Sequence, residues 1–382
     1  MNKIILYITL LLCFTSCKHD NDNPNKNSCQ RTVLIYIAAN NNLSGYSQLD
    51  IEEMRQGVIS NGLNGGRLLI FNITRKQSPA LYEMKDDGKM ELLKEYGDNI
   101  SSVDPETLRQ VCEDSRRIAP NSDYGLILWS HSSGWLSHTP SSPNRNSGME
   151  YSWGMDGSQA MTIPQLREAL EGISFSFIYF DSCFMGNIES LYELCNNASA
   201  IVASPTEVLT EGMPYDKNIK CFFASPEADM VQAAKNTFNY YNSLNGADRS
   251  CTISVYNTSA LEKLASVARN IMAANTKIPQ GVELQQYGYN INGAYFDGYF
   301  YDMYQYLSSL CINNQQLTNE LNDVWNNLTT FQAHTPLFWN RFSLDKTNGV
   351  SCFIYPDNEI IGAKYGYTEL EWYTNVVLPS IK

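Results

Sequence analysis

The sequence predicts an α/β fold, a doubly wound layer of helices around a mostly parallel sheet, with a C-terminal elaboration. Short apolar runs recur at residues 32–39, 67–73, 124–130, 176–181, 198–204 and 251–256. They are continuous rather than alternating, as strands covered on both faces should be. Helix-length segments separate them at 47–60, 105–118, 163–170, 187–195, 228–241 and 259–275. Strand–helix alternation is what a parallel layer requires, because each crossover runs over a face of the sheet. The composition agrees: 43% hydrophobic and 18% charged residues over 382 positions is globular, with length for one large domain or two ordinary ones.

The chain opens MNKIILYITLLLCFTSC. Lys3 gives a positive start and the apolar run 4–14 is too short to span a bilayer, so residues 1–17 read as a signal peptide. Thr15 and Ser16 before Cys17 resemble a bacterial lipobox, although Phe14 stands where Leu is usual. Cys17 is therefore expected to carry lipid and hold the exported protein on an outer membrane or cell surface. Residues 18–30 are polar, rich in Asn and Asp, and suit a flexible tether. A core at 31–275 is expected to follow, with a C-terminal part at 276–382 packed on it.

Within the core, Asp104 before Pro105 and Thr162 two residues before Pro164 mark helix starts. Residues 81–96 hold Asp87-Gly88 between two short runs and read as a hairpin insertion. Residues 136–161, rich in Ser, Pro, Asn and Gly, read as a loop. Beyond residue 280 the pattern weakens into Tyr- and Asn-rich stretches, then a strand at 350–355 and a final helix at 367–378. The 24 tyrosines are read as amphipathic packing residues.

A formal net charge of −13 argues against a nucleic-acid binder and against electrostatic attachment to anionic lipid, leaving the covalent anchor. It suits a basic partner, or no particular partner at all, since an acidic surplus also serves solubility. Of ten cysteines, Cys13 leaves with the leader and Cys17 takes the lipid. The rest are widely and irregularly spaced with no C-x-x-C, which speaks against a zinc ribbon or a small disulfide scaffold, although some could pair in an exported protein. No H-E-x-x-H, Walker loop, Rossmann glycine fingerprint or G-x-S-x-G is present, so zinc-protease, NTPase, dehydrogenase and serine-hydrolase readings lack support. No EF-hand loop occurs, and neither cofactor nor metal is expected from the residues.

Chemistry concentrates at two strand ends. His131 follows the strand YGLILWS and opens His-Ser-Ser-Gly-Trp; Cys183 follows SFIYF within Asp-Ser-Cys-Phe-Met-Gly. His138 and His334 are the other candidate bases, His19 falling in the tether. In an open α/β sheet, residues just past the carboxyl ends of strands line a common crevice. If the two strands are parallel neighbours, His131 and Cys183 face each other across it. A thiol needs that arrangement, because thiolate is the nucleophile and imidazole can take its proton and return it to a leaving amine. Gly134 and Gly186 would allow close backbone approach, and their amides could hold an oxyanion. A cysteine at a strand end is more often packing; the histidine at a second strand end, each followed within three residues by Gly, sets the catalytic reading level with that one.

The pair YGLILWSHSSGW (124–135) and FIYFDSCFMG (177–186) resembles the clostripain family of cysteine peptidases. LIYIAANNNL (34–43), residues 104–108 and IVASPTEVLTEGMPY (201–215) agree, so the resemblance covers most of 31–275. It implies a caspase-like α/β/α sandwich, with His131 as general base, Cys183 as nucleophile and an acyl-enzyme formed on peptide carbonyls. It implies cleavage after Arg or Lys, with Asp181 in the basic-residue pocket and a second acid from the following loop, Glu211 slightly ahead of Glu207, with Asp216 also available. It implies self-cleavage between the catalytic strands; Arg145, in Ser-Pro-Asn-Arg-Asn-Ser, is the accessible basic residue there. Some relatives use calcium, which enters only through the resemblance. Ser132 and Ser133 stand where the family usually has Gly after its His, and SPTEVLTEGMPY is less punctuated by Gly and Pro than usual. The expected partner is a peptide or protein, the membrane is reached through the anchor only, and a monomer is expected. A second reading is a non-catalytic surface lipoprotein that binds peptide or glycan on the same fold, its Tyr-rich C-terminal part supplying stacking surfaces.

Overall fold

A computed structural model describes residues 30–136, 152–288 and 299–381. In chain order the elements are β1 (Arg31–Ala39), α1 (Tyr46–Asn61), β2 (Arg67–Thr74), β3 (Gln77–Met84), β4 (Met90–Glu95), α2 (Pro105–Ile118), β5 (Asp123–Trp129), β6 (Trp153–Asp156), β7 (Gln159–Met161), α3 (Ile163–Leu170), β8 (Phe175–Asp181) and α4 (Ile188–Glu193). There follow β9 (Ala198–Ala203), α5 (Tyr215–Phe222), α6 (Met230–Asn242), β10 (Thr252–Asn257), α7 (Leu261–Ala274), β11 (Tyr301–Asp302), α8 (Met303–Cys311), α9 (Gln315–Leu328), β12 (Thr329–His334), β13 (Leu337–Phe338), β14 (Phe342–Ser343), β15 (Ser351–Cys352), α10 (Glu359–Lys364) and α11 (Leu378–Ile381).

Nine strands form one sheet in the order β12-β10-β9-β8-β5-β1-β2-β3-β4. The five central strands β9, β8, β5, β1 and β2 are parallel; the others pair antiparallel. Alternation along β1 sorts its buried side chains onto two cores. Leu34, Tyr36 and Ala38 join the cluster containing Leu108, Leu166, Leu191 and Leu264, from α2, α3, α4 and α7. Val33, Ile35 and Ile37 join Met54, Ile219 and Ala233, from α1, α5 and α6. Helices therefore cover both faces, which is why the strands read as unbroken apolar runs. The expected α/β/α sandwich is present.

Local chemistry explains the helix starts. Asp104 accepts from Glu106 N with Pro105 at the first turn, and Thr162 forms a capping box with Gln165. The expected hairpin exists as β3–β4 and extends the main sheet past β2. The strand expected at 251–256 is β10, which pairs antiparallel to β9. Other expectations need correction. The stretch at 136–161, read as loop, holds the β6–β7 hairpin among its described residues. The strand at 350–355 shrinks to β15, and the final helix is broken into a 3-10 turn at Tyr367–Glu369, a π-turn at Tyr373–Val377 and α11. Beyond residue 280, α8, α9 and the edge strand β12 went unforeseen. No helix among the described residues is long and apolar enough to cross a membrane. The described cysteines Cys112, Cys183, Cys195, Cys221, Cys251, Cys311 and Cys352 are all unpaired thiols.

Candidate active site

The strand order reverses direction at β1 and β5: β2 lies to one side of β1 and β5, then β8, to the other. Loops leaving the carboxyl ends of such strands diverge and open a crevice. Here they surround a cleft of about 350 Å³ lined by Leu43 after β1, His131 after β5, Cys183 after β8 and Glu207, Glu211 and Gly212 after β9. Trp129 of β5 and Asp181 of β8 are paired in register, so His131 and Cys183 each lie two residues beyond matched positions on adjacent parallel strands.

The turn after β8 is sharp. Phe184 takes a left-handed backbone (φ 58), a conformation that costs a non-glycine residue about 1 kcal/mol or more. Its amide donates to Thr206 O at 2.8 Å, its ring stacks on Phe300 at 4.8 Å, and its carbonyl accepts from Asn187 Nδ2 at 2.6 Å. Asn187 Oδ1 in turn caps α4 by accepting from Ser190 N. These contacts hold the strained turn, and with it Cys183, at the cleft, half-buried. Its Sγ accepts from Val208 N at 3.3 Å, and burial, followed by the charge of Glu207, pushes the thiol up to about 12. His131 Nε2 lies 2.7 Å from Asn42 Oδ1, and burial lowers the imidazole below its ordinary value. Burial thus disfavours the charged form of both the thiol and the imidazole. Such a pair can perform general-base-assisted attack on a carbonyl. His138 and Arg145 fall outside the described residues, as do Cys17 and Cys29. His334 sits on the far edge strand, paired in register with Thr252.

Acids gather at one end of the cleft. Asp181 is buried; its Oδ2 accepts from Met213 N at 3.2 Å and Tyr215 Oη at 3.1 Å. Gly212 (φ 62) is required beside it, since a Cβ there would stand 2.8 Å from Asp181 Oδ2. Asp50, on α1, accepts from Trp129 Nε1 at 2.7 Å, and burial and the charge of Asp181 raise its carboxyl strongly; burial raises Asp181 as well. The two share the cost of one buried negative charge. Glu207 is half-buried, its Oε2 has no hydrogen-bond partner among the described residues, and burial lifts it to about 7. Glu211 is exposed on the rim, and Asp216 on α5 is not among the groups lining the cleft. Sequence reasoning missed Asn42, Asp50, and two cleft residues from distant segments, Asp248 and Trp339. Asn42 hides in a run of three asparagines, and nothing in the apolar pattern links 248 or 339 to the strand ends.

The amides of both glycines have partners within the fold. Gly186 donates its amide to Ser204 O at 2.9 Å and has no room for a Cβ against Pro205 N, so its amide is committed to the scaffold rather than to an oxyanion. Gly134 (φ 64) donates to Ser132 Oγ at 3.1 Å and packs against Phe184 O and Asn187. Among the described residues no group of three His, Cys, Asp or Glu side chains is placed to hold a metal ion.

The proximity of Glu207 to the thiol gives a direct expectation. Glu207→Gln removes the second-largest cause of the raised thiol, so alkylation of Cys183 by iodoacetamide at pH 8 should accelerate, by about 3–10-fold for a shift of 0.5–1 unit. An unchanged rate would mean that Glu207 does not act on the sulfur.

The profile of the clostripain family matches residues 35–373. An inactive zymogen C11 protease from Parabacteroides distasonis is 30% identical, covering 91% of this chain and 98% of its own, with a TM-score of 0.77. A secreted C11 cysteine protease from Bacteroides thetaiotaomicron, solved with an irreversible peptide inhibitor, is 28% identical over 91% and 99%, with a TM-score of 0.75. A further secreted C11 protease from that organism, at 22% identity and a TM-score of 0.78, supports the fold. No curated protein matches the chain.

Proposed function

Because the chain belongs to the clostripain family of cysteine peptidases, we propose that it is an exported endopeptidase that cleaves after Arg or Lys using His131 and Cys183. The observation that carries this reading is their placement at matched positions past two adjacent parallel strands, in one cleft with the buried carboxylate of Asp181. On attack His131 takes the Cys183 proton as sulfur bonds to the scissile carbonyl carbon. The tetrahedral oxyanion collapses, the C–N bond breaks, and the same proton leaves on the amine. Water, deprotonated by His131, then hydrolyses the thioester and the thiol is restored. Asp181 receives the P1 guanidinium or ammonium. Glu207, with one oxygen unsatisfied and buried, is better suited than exposed Glu211 to be the second acid, reversing the order expected from sequence. A cation entering there would stabilise carboxylates that are costly to ionise alone.

Activation by self-cleavage after Arg145 and lipid attachment at Cys17 complete the proposal. Purified full-length protein should hydrolyse a fluorogenic Arg substrate and yield two fragments on a denaturing gel, the second beginning at Asn146; both should be lost in Cys183→Ala. Repeated absence of turnover with Arg, Lys and neutral P1 residues would favour a binding protein instead. Cutting that persists in Cys183→Ala would remove autoprocessing. Palmitate labelling that disappears in Cys17→Ala tests the anchor, and unlabelled wild type would sink it.

A further inference from the structure

We propose that Asn42 is the positioning residue for His131, fixing the tautomer and ring orientation in which the imidazole can accept the Cys183 proton. The proposal rests on reading His131 as the base. The Asn42 carboxamide oxygen lies 2.7 Å from Nε2. An oxygen there can only accept, so the neutral ring carries its proton on Nε2 and its lone pair on Nδ1. A carboxamide also cannot ionise, so it orients the ring without the full negative charge by which a carboxylate would favour the imidazolium. That agrees with an imidazole already lowered by burial and kept neutral for its task.

The turn that presents Asn42 is built, not loose. Its neighbour Asn41 is buried; Asn41 Nδ2 donates to Ala38 O at 3.0 Å and Met155 O at 2.8 Å, while Oδ1 accepts from Leu43 N at 2.8 Å. Asn40 Nδ2 donates to Asp156 Oδ1 at 2.5 Å, and its carbonyl accepts from Gly157 N at 3.1 Å. The same β6 strand grips the base, since Gly154 N donates to His131 O at 2.9 Å and Met155 N to Ser130 Oγ at 3.1 Å. One short strand therefore sets the distance between Asn42 and His131. Asn42 itself is exposed. Its side chain has no packing role to lose, which separates a catalytic effect from a structural one.

The test is steady-state kinetics and pH profiles on full-length Asn42→Ala, Asn42→Asp and His131→Ala with a fluorogenic Arg substrate. Asn42→Ala should lower kcat about 10–100-fold with KM within about 2-fold, and leave Tm unchanged, the range typical of losing a group that orients a catalytic side chain. Asn42→Asp restores an acceptor but adds a charge beside the ring. It should recover much of kcat and move the acidic limb of kcat up by about one pH unit. The other ionisable groups in the cleft with His131 are Asp181, Cys183, Glu207, Glu211 and Asp248. They are common to all variants, so the difference reports the new contact. A kcat for Asn42→Ala within 2-fold of wild type, or an unmoved acidic limb in Asn42→Asp, overturns the proposal while His131→Ala is inactive. An active His131→Ala overturns the parent reading instead.

Discussion

Cys183→Ala is expected to lower hydrolysis of Arg substrates to background, a loss of about 10⁴-fold or more, while the fold is retained. The sulfur is half-buried and its hydrogen-bond partners are the backbone amide and carbonyl of one residue, Val208, so truncation removes little packing. The loss is chemical, because the substitution removes the thiol proposed as nucleophile. Because burial pushes the thiol up to about 12 and lowers His131 below its ordinary value, wild-type activity should show an acidic limb without a matching alkaline one. At low pH the proposed base would be an imidazolium and could not accept a proton, whereas raising the pH to about 9 leaves the imidazole neutral and the thiol largely protonated. A bell whose alkaline limb falls near pH 8 would contradict a neutral resting pair.

Asp181→Asn is expected to reduce kcat/KM for Arg substrates by about 10²–10³-fold, the scale of removing a buried charge partner, and to affect neutral P1 substrates far less. The same substitution should stabilise the free protein at neutral pH. Burial raises the carboxyl in the folded state, so its contribution to stability is complete below the unfolded value near 4 and is lost as pH rises through the folded value. Asparagine keeps an oxygen for Met213 N and Tyr215 Oη but removes the charge that also raises Asp50. A gain of roughly 1–2 kcal/mol, about 2–4 °C in Tm, is expected at pH 7.5 and almost none at pH 4. A lower Tm at pH 7.5 would show that the carboxylate is structural. The expected gain would make the site an instance of function held at the expense of stability.

How far the sequence reached follows from what each feature needs. The central strands were legible because burial on both faces demands unbroken apolar runs such as VLIYIAA. The residues that carry the proposed chemistry were legible as the polar residues ending those runs. β12 was not, since TTFQAH is an edge strand with half-exposed positions and no run to see. α9 was legible in principle: Leu321, Val324, Trp325 and Leu328 repeat at helical spacing, and the Asn-rich background masked them. Asp50 and Trp339 reach the site region through tertiary packing alone, which no local pattern encodes.

The order of the sheet has a consequence for the nicked state. Any cut within residues 137–151 falls between β5 and β8, which are adjacent strands. It would divide the nine strands into two contiguous blocks, β4 to β5 on the N-terminal fragment and β8 to β12 on the C-terminal one. Neither block could leave the other without baring a central edge: Leu126, Ile127 and Leu128 on one side, Ile178, Tyr179 and Phe180 on the other, all buried. Separation would unzip a parallel ladder and open both cores at once. The two fragments should therefore travel as one particle of unchanged hydrodynamic size, parting only under denaturant, and proteolysis would alter covalent connectivity without altering the body that performs catalysis.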